Sequence, residues 1–285
     1  MMKFYTGTHC SIWLERTVIP LMVSHRRLAN SHKRGFPRAI CCWLLDSGGF
    51  SELLMYGEWR TTMKAYVAAA LDYKYDIGGM EGAAIQDWMC EPAMLKKTGL
   101  SIREHQRRTV NSYLDLRSAA PTVPWFPVLQ GWELDDYKRH VDDYNEANVD
   151  LRTLPRVGLG SVCRRQHSEE IAEIVVTLHK LGLNLHGFGV KLKGLEKISN
   201  HLVSADSMAW SFAARREDPL PNHHHKNCAN CRTYAELWYR NRVWPLIQFN
   251  KGDYQIASKQ YGLFTNEQTT PAEAAGSIEV LNMVA

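Results

Sequence analysis

Two short stretches combine residue types that can do chemistry with spacings that would let them act together. The first is Leu44-Leu45-Asp46-Ser47-Gly48-Gly49-Phe50, where the apolar run from Ala39 to Leu45 ends in a carboxylate, a hydroxyl and two glycines. That layout suits a buried strand delivering an acid to a loop. Taken alone, Asp46 and Ser47 would equally cap the next helix, with Gly48 and Gly49 supplying a tight turn. The second runs from His223, His224 and His225 to Cys228-Ala229-Asn230-Cys231, two thiols at the spacing of a zinc knuckle beside a histidine run. A structural zinc ion is expected on Cys228 and Cys231. His225 and His223 are the first choice for the remaining ligands, with His201 or a more distant residue as the alternative.

The elements that must position these residues follow a rhythm of apolar strand, polar loop and helix. Strands are expected to end at Leu45, at Ile85 before Gln86-Asp87, at Leu129 before Gln130-Gly131, at Leu159 before Gly160-Ser161, at Val190 after His186-Gly-Phe-Gly, and near Val203 before Ser204-Ala-Asp206-Ser. Helices are expected over 61–75, 101–119, 135–148 and 168–181, the last opening with the cap-like Ser168-Glu169-Glu170, and a further one over 234–243. Such alternation favours parallel strands joined by crossover helices. An open doubly wound sheet would satisfy it, but so many strand ends carrying polar residues fit a closed (β/α)8 TIM barrel better, because its loops share one mouth. Asp46, Asp87, Gln130, Gly160 and Asp206 would then converge. The expected organisation is an α/β barrel core over residues 1–216 and a small zinc-binding subdomain with C-terminal elements over 217–285, its tail from Gln268 weakly packed.

Composition bounds the rest. A chain of 285 residues with 45% hydrophobic and 22% charged residues can bury a sizeable core, and it has no apolar run near the roughly 20 residues that span a bilayer. A soluble protein is expected, with no membrane partner. The N-terminus lacks the apolar core of a secretory signal, which points to the cytoplasm. The seven cysteines are scattered and odd in number, a poor disulfide framework. Net charge is only +4, yet Ser24 to Arg38 carries Arg26, Arg27, Lys33, Arg34 and Arg38 without an acid, and Arg164-Arg165 adds a pair. A phosphate-bearing partner would need such charge, although a solvated surface explains each run separately.

In order, the chain presents Asp-Ser-Gly-Gly-Phe at 46–50, Gln-Asp-Trp-Met-Cys-Glu-Pro at 86–92, Val-Leu-Gln-Gly at 128–131, Gly-Leu-Gly-Ser at 158–161, His-Gly-Phe-Gly-Val at 186–190 and Ser-Ala-Asp-Ser at 204–207, then the cysteine pair. This succession resembles the tRNA-guanine transglycosylase superfamily, and within it the DpdA-like enzymes of deazapurine DNA modification. The resemblance implies a TIM barrel with a zinc subdomain that exchanges guanine in a nucleic acid for a 7-deazaguanine such as preQ0 through a covalent glycosyl-enzyme. It implies Asp206 as nucleophile and Asp46 as general acid/base. Asp87, Gln130, Gly160 and Ser47 would read the base edge, and Phe50 and Phe188 would stack on its faces. Lys226 stands where the tRNA enzymes carry a first zinc cysteine, and Ser-Ala-Asp-Ser differs from their Phe-Asp-Cys type of nucleophile segment. Both differences favour DNA as the partner, with tRNA as the alternative and a non-catalytic nucleic-acid binder as the reading from another class. Arg26, Arg27, Lys33, Arg34, Arg164 and Arg165 would hold phosphates. The resemblance suggests a phage or bacterial modification system and leaves open a homodimer or partner proteins.

Overall fold

The computed structural model describes residues 2–30, 35–162, 165 and 169–248. Lys33, Arg34, Arg164, the expected helix start at Ser168 and the tail from Gln268 lie outside the described residues. The chain divides into two compact units, residues 1–209 and 210–285.

The first unit is built on parallel strands, β1 (Lys3–Thr8), β2 (Leu21–Ser24), β3 (Trp43–Asp46), β4 (Met80–Ala84), β5 (Trp125–Phe126), β6 (Val128–Leu129), β7 (Val157–Leu159), β8 (Leu185–Gly187) and β9 (Ser204–Ser207). They neighbour one another in the order β5-β4-β3-β2-β1-β9-β8-β7-β6. The two ends of that order, β5 and β6, are separated in the chain by Pro127 alone. Proline has no N–H to give a ladder, and here the strand changes partner across it: β5 pairs with β4 and β6 pairs with β7. Treated as one strand broken at Pro127, β5 and β6 close the ring, giving a (β/α)8 TIM barrel.

Strands covered on both faces read as apolar runs, and Leu21, Val23, Trp43, Leu44, Leu45, Ala83, Val128, Leu129, Val157 and Leu185 are fully buried. The outer helices are Gly49–Tyr56 and Met63–Asp72 after β3, Pro92–Thr98 and Ile102–Ala119 after β4, Leu134–Glu146 after β6, Glu169–Lys180 after β7 and Leu192–Ile198 after β8. Ser101 caps the longest of them, accepting a hydrogen bond from Glu104 N at 3.2 Å. Among the described residues, the first two crossovers carry only short helical turns, Ser11–Glu15 and His25–Ala29.

Two expected strand ends shift. The strand before Phe188 stops at Gly187 rather than Val190, because Gly189 turns the chain at φ 60°. Asp206 lies within β9 instead of in a loop beyond Val203, since Ser204, Asp206 and Ser207 themselves form ladder pairs with β1.

The second unit contains the helical segments Arg232–Trp238, Tyr239–Val243 and Trp244–Gln248. Its cysteine loop is tied down by Ser211, whose hydroxyl donates to the Ala229 carbonyl at 2.7 Å. Among the described residues, no helix is long and apolar enough to cross a membrane.

Candidate active site

Parallel strands put every strand's C-terminal end at one mouth of the barrel, and the expected site residues gather there. Asp46 is the last residue of β3, Asp87 follows β4, Gln130 follows β6, Gly160 follows β7, Phe188 follows β8 and Asp206 is the penultimate residue of β9. Asp46 and Asp206 are close enough for the charge of one to act on the other. Burial raises the Asp46 carboxyl above its ordinary range and the Asp206 charge adds to this, while the Ser24 hydroxyl and the Gly48 N–H donate to it and oppose the rise. Ser24 can reach because β2 and β3 pair it directly with Asp46. Gly48 sits at φ 81°, where a Cβ would also come within 2.9 Å of the Arg26 side chain. Asp206 is held differently: its Oδ1 accepts from Gly189 N at 3.0 Å, and its carbonyl accepts from Val190 N at 2.8 Å.

Asp87, Gln130 and Ser161 form a second, buried group. The Gln130 amide donates to Asp87 Oδ2, and its Oε1 accepts from the Ser161 hydroxyl at 2.6 Å. Burial pushes the Asp87 carboxyl up to about 7, with smaller pushes from the charges of Asp46 and Glu91; the Gln130 amide and a backbone N–H act the other way. Gly160 leaves the room for this arrangement, because a Cβ there would stand 2.2 Å from Gln130 Nε2 and drive the amide off Asp87. The backbone of Gly160 is committed, its N–H to Leu129 O at 2.9 Å and its carbonyl to the Tyr137 hydroxyl at 2.8 Å.

The loop carrying Asp87 is pinned along its length. Gln86 donates to Thr61 O at 2.7 Å, Trp88 N to the Thr109 hydroxyl at 2.9 Å, and Cys90 N to Ser161 Oγ at 2.8 Å. His105 Nδ1 lies 2.7 Å from Met89 O. A carbonyl only accepts, so Nδ1 carries the proton and Nε2 accepts from Thr98, 2.8 Å away. Pinning of this kind holds a binding residue in one rotamer before a ligand arrives.

Ser47 is buried beside Asp46, whereas Phe50 is 40% exposed on the first turn of helix Gly49–Tyr56. Phe188 is half-buried, stacked on Phe126 with ring centroids 6.1 Å apart. Arg26 and Arg27 lie just beyond β2 on the helical turn His25–Ala29; Arg26 is 3.4 Å from Glu52 and Arg27 is exposed. Arg165 is engaged within the protein, stacked at 3.8 Å on Trp132 and paired with Glu170 at 2.9 Å. Sequence reasoning assigned no role to Ser24, Glu91, Ser161 or His186. Three of these stood in plain view inside the quoted motifs, and Ser24 had no signal because β2 was not anticipated.

In the second unit the ligand atoms of His223, His225, Cys228 and Cys231 all lie within 4.8 Å of one another. His225 Nε2 is 3.0 Å from Cys228 Sγ, and His223 Nδ1 is 3.4 Å from Cys231 Sγ. Two sulfurs and two imidazole nitrogens so clustered could hold a metal ion. His201, the alternative ligand, instead lies beside His179, with ring centroids 5.0 Å apart.

Comparison with known families decides the relationship. The model of the family DpdA, DeoxyPurine in DNA protein A, matches residues 1–279. The chain belongs to the DpdA family. Its work therefore lies in deazapurine modification of DNA, within the tRNA-guanine transglycosylase superfamily that the motifs resemble. No curated protein matches this DpdA member. Solved structures that it resembles include a cog1816 amidohydrolase from Burkholderia ambifaria with bound Zn, 12% identical over 92% of this chain and 72% of that one, with a TM-score of 0.36. Another is a glycerol complex of the fructuronate-tagaturonate epimerase UxaE from Cohnella laeviribosi, 11% identical over 99% and 77%, with a TM-score of 0.35. At those scores neither bears on the DpdA site.

Proposed function

We propose that this DpdA-family chain is a DNA-guanine transglycosylase, a pentosyltransferase that replaces guanine in DNA with a 7-deazaguanine such as preQ0. The observation that carries the reading is the pair Asp46 and Asp206 at one barrel mouth, one kept prone to hold a proton and the other held by a backbone donor. Breaking an N-glycosidic bond develops positive charge at C1′, which a carboxylate can capture. In the first step an Asp206 oxygen bonds to C1′ while the C1′–N9 bond breaks, its electron pair leaving with guanine, which takes a proton from Asp46. In the second, N9 of the incoming base bonds to C1′, the C1′–O bond breaks, Asp206 recovers its charge and Asp46 takes the N9 proton. No phosphodiester bond is touched.

Guanine and its 7-deaza analogues share an N1–H and 2-amino edge, two adjacent donors that an ionised Asp87 accepts. Gln130, seated in the space that Gly160 leaves for it, would complete the base edge with Ser47, and Phe50 and Phe188 would supply stacking faces. Arg26 and Arg27, on the helical turn that follows β2, would hold phosphates of a flipped-out nucleotide. The decisive experiment supplies labelled preQ0 with guanine-containing duplex DNA or with tRNA. Label in DNA is the expected result; label only in tRNA transfers the chemistry to the other polymer, and label in neither removes the reading.

The carboxyl of Asp87 predicts a pH dependence. With its proton lost at about 7, the ionised fraction rises about tenfold from pH 6 to pH 8. Affinity for free guanine, measured by calorimetry, should therefore strengthen about tenfold over that interval, and Asp87→Asn should bind weakly without the slope. The same shift acts on stability. Between the ordinary 3.8 and about 7 the folded chain holds a proton that the unfolded chain has released, so stability falls as pH rises through this window.

His223, His225, Cys228 and Cys231 would hold a structural Zn2+, whose charge two thiolates neutralise in a closed tetrahedral set. Metal analysis should find about one zinc per chain, and Cys228→Ser should lose it and melt at lower temperature. A well-folded, metal-free wild-type protein would contradict this.

A further inference from the structure

A column of polar groups runs through the barrel interior and ends on Asp206. At the opposite mouth, Lys3 donates to Glu81 at 2.8 Å and the Tyr5 hydroxyl donates to Glu81 at 2.5 Å. Arg156 lies over the Tyr5 and Phe126 rings, donating through Nη2 to the Tyr5 oxygen at 3.0 Å and through Nε to Ser204 Oγ at 3.1 Å. Ser204 Oγ is 2.9 Å from His186 Nδ1. His186 is fully buried, and its Nε2 has no hydrogen-bond partner within ordinary geometry; the atom it faces is Asp206 Oδ1, 3.5 Å away.

The column favours one tautomer of His186. Ser204 Oγ accepts from Arg156 and keeps its own hydrogen to give His186 Nδ1, an arrangement that puts the His186 proton on Nε2. The other tautomer would aim a lone pair at a carboxylate from inside a dry core. Gly189 N and His186 Nε2 thus converge on the same oxygen, Oδ1, and among the described residues neither they nor another donor bonds Oδ2.

We propose that His186 is a positioning residue, held as the Nε2–H tautomer by Arg156 and Ser204, that directs Asp206 to use Oδ2 against C1′ and stabilises Oδ1 when the carboxylate is released. The proposal rests on the transglycosylase reading for its kinetic consequence but not for its structural one. As the glycosyl ester forms on Oδ2, Oδ1 becomes the ester carbonyl. When the incoming base displaces the ester, negative charge returns to both oxygens, and a donor already aimed at Oδ1 lowers that barrier with little reorganisation. The His186-Gly-Phe-Gly motif thereby gains a use beyond Phe188.

Two measurements on the full chain test this. Imidazole 15N spectra, with His186 assigned by its loss in His186→Gln, should give a neutral Nε2–H tautomer whose Nε2 resonance moves in Asp206→Asn. An Nδ1–H tautomer, or no response to Asp206→Asn, overturns the proposal whether or not the protein exchanges bases. In the exchange assay, His186→Leu should lower kcat about 100-fold, as loss of a preorganised donor does, with KM for the incoming base little changed. His186→Gln places an amide N–H near the Nε2 position and should restore most of kcat. Equal activity of the Leu and Gln variants at matched folding overturns the directing role. If wild-type protein exchanges no base at all, it is the transglycosylase reading that fails, and the spectra still decide the hydrogen bond.

Discussion

Asp206→Asn should abolish base exchange, by about 10⁴-fold or more, and with it any DNA-protein adduct that survives denaturation. The magnitude follows from what the substitution removes. An amide of the same shape keeps the Gly189 contact to Oδ1 and the packing of β9, but it has neither the negative charge that meets the developing cation at C1′ nor an oxygen able to form a stable glycosyl ester. Removal of a covalent nucleophile is among the largest single-residue losses in enzymes. Duplex DNA mixed with wild-type protein in the absence of incoming base, then run on a denaturing gel, should show a slowed band that the variant lacks. Exchange by Asp206→Asn at near wild-type rate would exclude this carboxylate as nucleophile. Asp206 is one residue from the end of its strand, so the substitution should leave the barrel's melting temperature close to that of wild type, which separates chemistry from folding.

How far the site could be read in advance differs from residue to residue, for physical reasons. Asp46, Gln130 and Gly160 announced themselves because each interrupts an apolar run, and β3, β6 and β7 end within one residue of where those runs stop. β1 gave no such sign: Lys3-Phe-Tyr-Thr-Gly-Thr is buried from Phe4 onward although it carries Thr6 and Thr8, which alternation puts on the same face of the strand as Phe4. β9 misled as well, since Ser204 and Asp206 look like loop residues and are strand residues whose partners His186 and Gly189 come from the neighbouring β8 and the turn after it, while Ser207 accepts from Ala209 N. Hydropathy marks where water is excluded, and it is blind to a polar group whose partner is also buried. His186, Ser204 and Arg156 are 18 and 48 residues apart in sequence pairs, so only the closed barrel discloses that they form one column. The histidine and cysteine cluster was readable because its ligands are local, within a span that a single loop brings together.

Asp46→Asn should slow guanine release by about 10²- to 10⁴-fold, the usual worth of a positioned general acid, while DNA binding stays within a few-fold of wild type. The asparagine keeps the shape of Asp46 and one acceptor oxygen for the donors Ser24 and Gly48, so the loss is chiefly that of the proton. A leaving group that needs no proton should then bypass the defect. DNA carrying 7-methylguanine offers one, because that base is already cationic in the nucleoside and departs neutral, and a site built to take 7-substituted products has room for its methyl group. Release of 7-methylguanine by Asp46→Asn should approach the wild-type rate, whereas Asp206→Asn should release neither base. Equal slowing of guanine and 7-methylguanine in Asp46→Asn would place the residue in orientation rather than proton transfer. Normal guanine exchange by the variant would remove Asp46 from the chemistry, and the acid would then have to be sought in Asp87, whose carboxyl burial pushes up to about 7.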